Sequence, residues 1–148
     1  MMCMTVQLLV EPSILIVEDN GPLRSALREW LATSFPRSPL FEATSGEEAV
    51  TVAGREHPDI ILMDIGLPGM DGVRATREIK RRHPEARVVV LTIHEDSEYR
   101  IQAAAAGASA FVAKRTMRGD LLPVLRMLLA GTPGDAAPEP VPPPGSAR

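Results

Sequence analysis

The hydrophobic pattern contains several short apolar runs with no polar face. The clearest is Ile60-Ile61-Leu62-Met63, which ends in Asp64. Four consecutive apolar residues cannot sit half-wet, so the run predicts a strand buried on both sides, as in a parallel sheet covered by helices. Ser13-Ile14-Leu15-Ile16-Val17 repeats the pattern and ends in Glu18-Asp19, and Arg87-Val88-Val89-Val90-Leu91 ends in Thr92. Two shorter segments, Leu40 to Thr44 and Ser109 to Ala113, complete five predicted strands, and Lys114 follows the last.

Between these runs the spacing changes to that of helices. After Asn20-Gly21-Pro22, the residues Leu23, Ala26, Leu27, Trp30 and Leu31 predict one buried stripe, closed by Pro36 and Pro39. Ser45-Gly46-Glu47-Glu48 opens a helix running to about His57, with acids in its first turn and Pro58 as its stop. A third helix is predicted over about 72–82, and a fourth over 95–106, stopped by Gly107. In the last helix Pro123 interrupts the pattern Leu121, Leu122, Leu125, Leu128, Leu129, which predicts either a start near Asp120 or a kink. Strands alternating with helices through short loops give an α/β class with a doubly wound parallel sheet.

Composition narrows the function. The 148 residues suit one domain, and the formal net charge of −3 argues against general affinity for nucleic acid or anionic membrane. Arg77, Lys80, Arg81 and Arg82 cluster in one helix end, where cations favour the dipole and stay solvated. The single cysteine, Cys3, excludes an internal disulfide framework, and a reducing cytoplasm fits. No apolar run reaches the length of a membrane span. Residues 1–12 are expected to be an irregular leader. Residues 132–148, seventeen in number with six prolines, are expected to be a disordered or polyproline-like tail.

The strand ends carry the chemistry. In an open α/β sheet, ligands gather at the carboxyl ends of the strands. There the pattern sets Glu18, Asp19, Asp64, Thr92 and Lys114. Three carboxylates crowded together repel one another unless a divalent cation neutralises them; magnesium prefers hard oxygen ligands and commonly works beside phosphate. A carboxylate next to such a cation, with an ammonium and a hydroxyl nearby, is set up to attack phosphorus, which makes Asp64 the candidate nucleophile.

ILIVEDN at 14–20, DIILMDIGLPGMDG at 59–72, VVVLT at 88–92 and GASAFVAK at 107–114 together resemble the receiver domain of two-component response regulators. The resemblance covers roughly residues 13–131. It implies a flavodoxin-like (βα)5 sheet of order 2-1-3-4-5 and phosphorylation of Asp64 by a histidine kinase or phosphotransfer protein. It also implies a magnesium site formed by Glu18, Asp19, Asp64 and the backbone carbonyl of Gly66. Thr92 would read the phosphoryl group, Lys114 would pair with one of its oxygens, and Phe111 matches an aromatic switch position without the hydroxyl of tyrosine. Such a domain assists its own phosphotransfer and dephosphorylation and is not otherwise an enzyme. Output is expected through the surface of the fourth helix, fifth strand and fifth helix, with a homodimer left open.

Arg115 stands where many family members carry a cis proline, so a trans bond is expected. The residues Thr92 to Asp96 resemble the NarL/FixJ class, whose usual partner is a DNA-binding helix-turn-helix. The Pro-rich segment after residue 131 contains no such module, so a stand-alone switch with no direct nucleic-acid contact is expected. The alternative is the receiver half of a transcription regulator. An aspartate-nucleophile phosphatase of the haloacid-dehalogenase type would need an acid two residues after Asp64, where Gly66 stands, and a flavin site would need aromatics that are scarce at the strand ends.

Overall fold

A computed structural model of the chain describes residues 11–130 with the exception of Glu95. The expected leader, apart from its last two residues, and the Pro-rich tail lie outside these. Five parallel strands alternate with five helices: β1 (Ile14–Val17), α1 (Gly21–Ser34), β2 (Leu40–Ala43), α2 (Gly46–Glu56), β3 (Ile60–Asp64), α3 (Gly72–Arg82), β4 (Arg87–Thr92), α4 (Ser97–Ala106), β5 (Ala110–Ala113) and α5 (Met117–Ala130), the last preceded by a 3-10 turn, Lys114–Thr116. The order across the sheet is β2-β1-β3-β4-β5, the doubly wound flavodoxin-like arrangement.

Strand side chains alternate between faces, so each apolar run feeds two cores. Leu15, Val17, Ile61, Met63, Val88 and Val90 face α2, α3 and α4. Ile14, Ile16, Ile60, Leu62, Val89 and Leu91 face α1 and α5. β3 is buried along its whole length, Asp64 included.

Capping side chains set the helix starts. The amides of Leu23, Glu48 and Arg74 donate to Asn20 Oδ1 (2.9 Å), Ser45 Oγ (3.1 Å) and Asp71 Oδ1 (2.9 Å). Each satisfies one of the amides that a helix's first turn leaves without an internal partner. Lys80 folds back so that Nζ donates to Pro84 O (2.7 Å) and Ala86 O (2.6 Å), while Arg81 and Arg82 pair with Glu78. This basic cluster serves its own helix end.

Three expectations are corrected. Helix α4 starts at Ser97, two residues later than the pattern placed it, because Asp96 takes the N-cap backbone geometry. Helix α5 starts at Met117, not near Asp120, with Pro123 inside it, which removes the late start and leaves the other expected outcome, a kink at Pro123. The carbonyl that loses its partner to Pro123 is that of Gly119, and both residues are exposed, so water can satisfy it. Burial of Leu121 and packing of Met117 on the α1–α5 core then favour the earlier start. Finally, Ala26 is exposed rather than buried, because it lines an open groove between α1 and α5 together with Leu23, Trp30 and Met117. The Lys114–Arg115 bond is trans, as expected.

Candidate functional site

Strand register brings the candidate residues together. Val17 pairs with Met63, so the next residues, Glu18 and Asp64, form one row at the carboxyl edge of the sheet. Leu91 lies beside Asp64, and Thr92 beside Ala113, which places Thr92 and then Lys114 in the rows just beyond. Carboxylate oxygens of Glu18, Asp19 and Asp64 lie within 4.8 Å of one another. Glu18 is 2 % exposed and Asp64 6 %, whereas Asp19 opens to solvent.

Lys114 reaches into this cluster. Its Nζ lies 2.9 Å from Glu18 Oε1 and 3.4 Å from Asp64 Oδ1. Burial raises the Glu18 carboxyl above its ordinary value and the Asp64 charge adds to that rise, while the hydrogen bond from Lys114 acts against it. Burial would lower the Lys114 ammonium, but the bond to Glu18 and the charges of Asp64 and Glu18 outweigh it and leave Lys114 raised. Three carboxylates against one ammonium leave an excess of two negative charges when all are ionised. That excess, on oxygen donors alone, fits a hard divalent cation.

The loop after β3 is held tightly around Asp64. The Gly66 amide donates to Asp64 Oδ1 (3.1 Å), and the Leu67 and Gly72 amides both donate to Ile65 O. Gly72 permits this closeness: a Cβ there would stand 2.1 Å from the Asp64 carbonyl oxygen. Gly46 does the same for α2, since its Cβ would stand 2.3 Å from Met70 O. Glu47 completes the clamp by accepting from the Met70 amide (3.1 Å). Sequence reasoning assigned Glu47 only to the helix dipole and missed this reach. No local signal marks it, because its partner is 23 positions away. Reasoning from sequence also missed Asn20 and Arg24, which fix Glu18 through the Asn20 amide on Oε2 (3.2 Å) and Arg24 Nη1 on the Glu18 carbonyl (2.9 Å).

Thr92 is fully buried, and its hydroxyl accepts from the His94 amide (2.8 Å). His94 stacks on Tyr99, with centroids 5.0 Å apart. Phe111 is half-buried against the α2–α4 core, with the Arg100 guanidinium 4.6 Å from its ring centroid.

The profile of the response regulator receiver domain family matches residues 14–126. Over 118 residues the chain is 31 % identical to response regulator GacA of Pseudomonas viridiflava and 36 % identical to transcriptional activator protein ExaE of Pseudomonas putida. Each match covers 80 % of this chain and 55 % of the relative, so the chain spans about half the length of these curated relatives. A crystal structure of a LuxR-family two-component response regulator from Aurantimonas sp. SI85-9A1 superposes with a TM-score of 0.77 at 31 % identity, covering 82 % of this chain and 87 % of that one. The sheet order, the acid cluster with its lysine at the carboxyl edge and these matches agree: the chain belongs to the response regulator receiver domain family, and its relatives are receivers of the LuxR/NarL type.

Proposed function

We propose that Asp64 accepts a phosphoryl group from a histidine kinase or phosphotransfer protein, and that the chain signals through altered protein contacts. The observation that carries this is the placement of Lys114 Nζ against both Glu18 and Asp64, inside a cluster of three carboxylates. Glu18, Asp19, Asp64 and the carbonyl of Gly66 would hold magnesium, which supplies charge neutralisation for the transferring phosphoryl oxygens. A carboxylate oxygen of Asp64 attacks phosphorus, the bond from phosphorus to the donor's imidazole nitrogen breaks, and an acyl phosphate is left on Asp64. Lys114 transfers its pairing from Glu18 and Asp64 to a phosphoryl oxygen. Thr92 exchanges its bond with the His94 amide for one to the phosphoryl group.

That exchange reshapes residues 92–96 and the surface of α4, β5 and α5. Three large apolar side chains stand exposed there: Ile93 in the loop (71 %), Ile101 on α4 (58 %) and Met127 on α5 (64 %). They support a protein-binding output. Phe111 answers by repacking, since it has no hydroxyl to donate. Return of the phosphoryl group to water would draw on the same acids and is confined to the chain's own Asp64. On this reading the receiver unit spans 13–131 between a leader and the Pro-rich segment and works in the cytoplasm. Among the described residues no helix is long and apolar enough to cross a membrane.

Beryllofluoride or acetyl phosphate with magnesium should shift the amide signals of residues 92–96 and α4 in wild type and leave them in place in Asp64→Asn. An equal shift in Asp64→Asn would sink the assignment. Phosphotransfer from the candidate kinases of the source genome would then identify the donor.

A second reading, the receiver half of a DNA-binding regulator, is favoured by the 55 % coverage of relatives such as the transcriptional activator ExaE. Reading the gene beyond the Arg148 codon separates the two.

A further inference from the structure

The geometry points to a second metal site at the opposite end of the sheet, in which the imidazoles of His57 and His83 and the carboxylate of Glu85 take a borderline divalent cation of the zinc type. His57 ends α2 and His83 ends α3, each just before a proline that stops its helix. Both therefore stand where the chain enters the amino ends of β3 and β4, across the length of the sheet from Asp64. One potential ligand atom from each of His57, His83 and Glu85 lies within 4.8 Å of the others. Ligand atoms about 2.1 Å from a tetrahedral ion are about 3.4 Å apart, so a shift of roughly 1 Å completes the geometry. Such a shift lies within the rotamer freedom of two exposed side chains, His57 and Glu85, and a half-buried one, His83.

Three further observations agree. The two rings already meet, with centroids 5.1 Å apart and planes at 82°. His57 adopts φ 51°, ψ 57°, a left-handed conformation that helix ends usually give to glycine, as Gly107 shows at the end of α4. It is the one non-glycine residue with positive φ among those described. A β-carbon there is tolerated at a cost, and the cost leaves the imidazole facing His83. Two helix C-termini also converge on the spot, and their partial negative charge favours a cation.

The donor set decides which cation. Two imidazoles and a carboxylate suit zinc and its neighbours far better than magnesium, and three protein ligands leave a fourth position for water. Lys80 opposes the site: its ammonium is held at the carbonyls on either side of Glu85, close enough to sense the Glu85 charge. The same two bonds hold the backbone on either side of Glu85 in place.

The test uses the full chain carrying Cys3→Ser, which removes the one competing thiol, in excess magnesium to fill the acidic pocket. Titration with zinc followed by calorimetry should show a single site. The His57 and His83 ring nitrogen signals should move while those of His94 stay. His57→Gly relieves the left-handed backbone and so keeps the fold. It and Glu85→Gln should each weaken zinc about tenfold or more. Unchanged zinc affinity in a His57→Gly, His83→Asn double variant, or ring signals at 57 and 83 that do not respond, would overturn the proposal. Neither result bears on phosphoryl transfer at Asp64.

Discussion

The loops that follow β3 and β4 leave the same edge of the same sheet, yet they are built differently. The loop after Asp64 is cross-braced by the Gly66, Leu67 and Gly72 amides, by Glu47 on the Met70 amide, and by two glycines that let α2 and α3 press against it. In the loop after Thr92 the His94 amide donates to the Thr92 hydroxyl, the Asp96 carbonyl accepts from the Tyr99 and Arg100 amides at the start of α4, and Ile93 stands 71 % exposed. The first is a fixed frame around a charge. The second is tied back to its strand at His94 by the Thr92 hydroxyl and carries an exposed apolar side chain.

The largest expected effect comes from breaking the frame. Gly72→Ala drives a methyl group into the Asp64 carbonyl and the Ile65 backbone, with neither able to yield cheaply. A loss of about 3 kcal/mol or more is expected in denaturant unfolding, with failure of beryllofluoride binding in whatever folds. A stability close to wild type would mean that α3 can back away and that the frame is not rigid. Thr92→Ala, at the second loop, should cost about 1 kcal/mol while sharply accelerating hydrogen exchange at the His94 amide and uncoupling that loop from beryllofluoride. Slow exchange retained at His94 would show that something other than the hydroxyl holds it.

Glu47→Ala removes one brace from the exposed side of the frame. A loss of about 0.5–1 kcal/mol and faster exchange at Met70, with Asp64 still able to accept a phosphoryl group, are expected. The smallest effect concerns Glu48, which accepts from the Thr44 amide (2.8 Å) and hydroxyl (3.0 Å) beside the start of the helix that carries Glu47. The Thr44 amide, followed by its hydroxyl, holds the Glu48 carboxyl below its ordinary 4.5. The folded value is depressed, so the contribution is fully present above pH 4.5 and fades as pH falls through the lower folded value. Glu48→Gln should flatten that acid limb of the stability curve. An identical limb in both proteins would assign it to other groups.

The legible parts of this protein are those that depend on neighbours along the chain. Unbroken apolar runs identified β1, β3 and β4, and the Asn20 and Ser45 caps identified two helix starts, because each signal lies within a few residues of its effect. Asp64 with Glu18, Asp19, Thr92 and Lys114 was legible for a related reason. Parallel strands carry their carboxyl ends to one edge, so strand-end residues meet whatever the details of packing.

What the tertiary structure alone decided lies further apart in the chain. Packing of Met117 and Leu121 set the start of α5 against the warning from Pro123, and the open groove left Ala26 in solvent. The clamp from Glu47 to Met70 and the meeting of His57 with His83 join residues that no local pattern relates. Sequence by itself determined the sheet and the acidic pocket, since both follow from periodicity and strand direction. The structure decided how the loop after Asp64 is braced, because that depends on contacts whose partners become neighbours only when the two cores close.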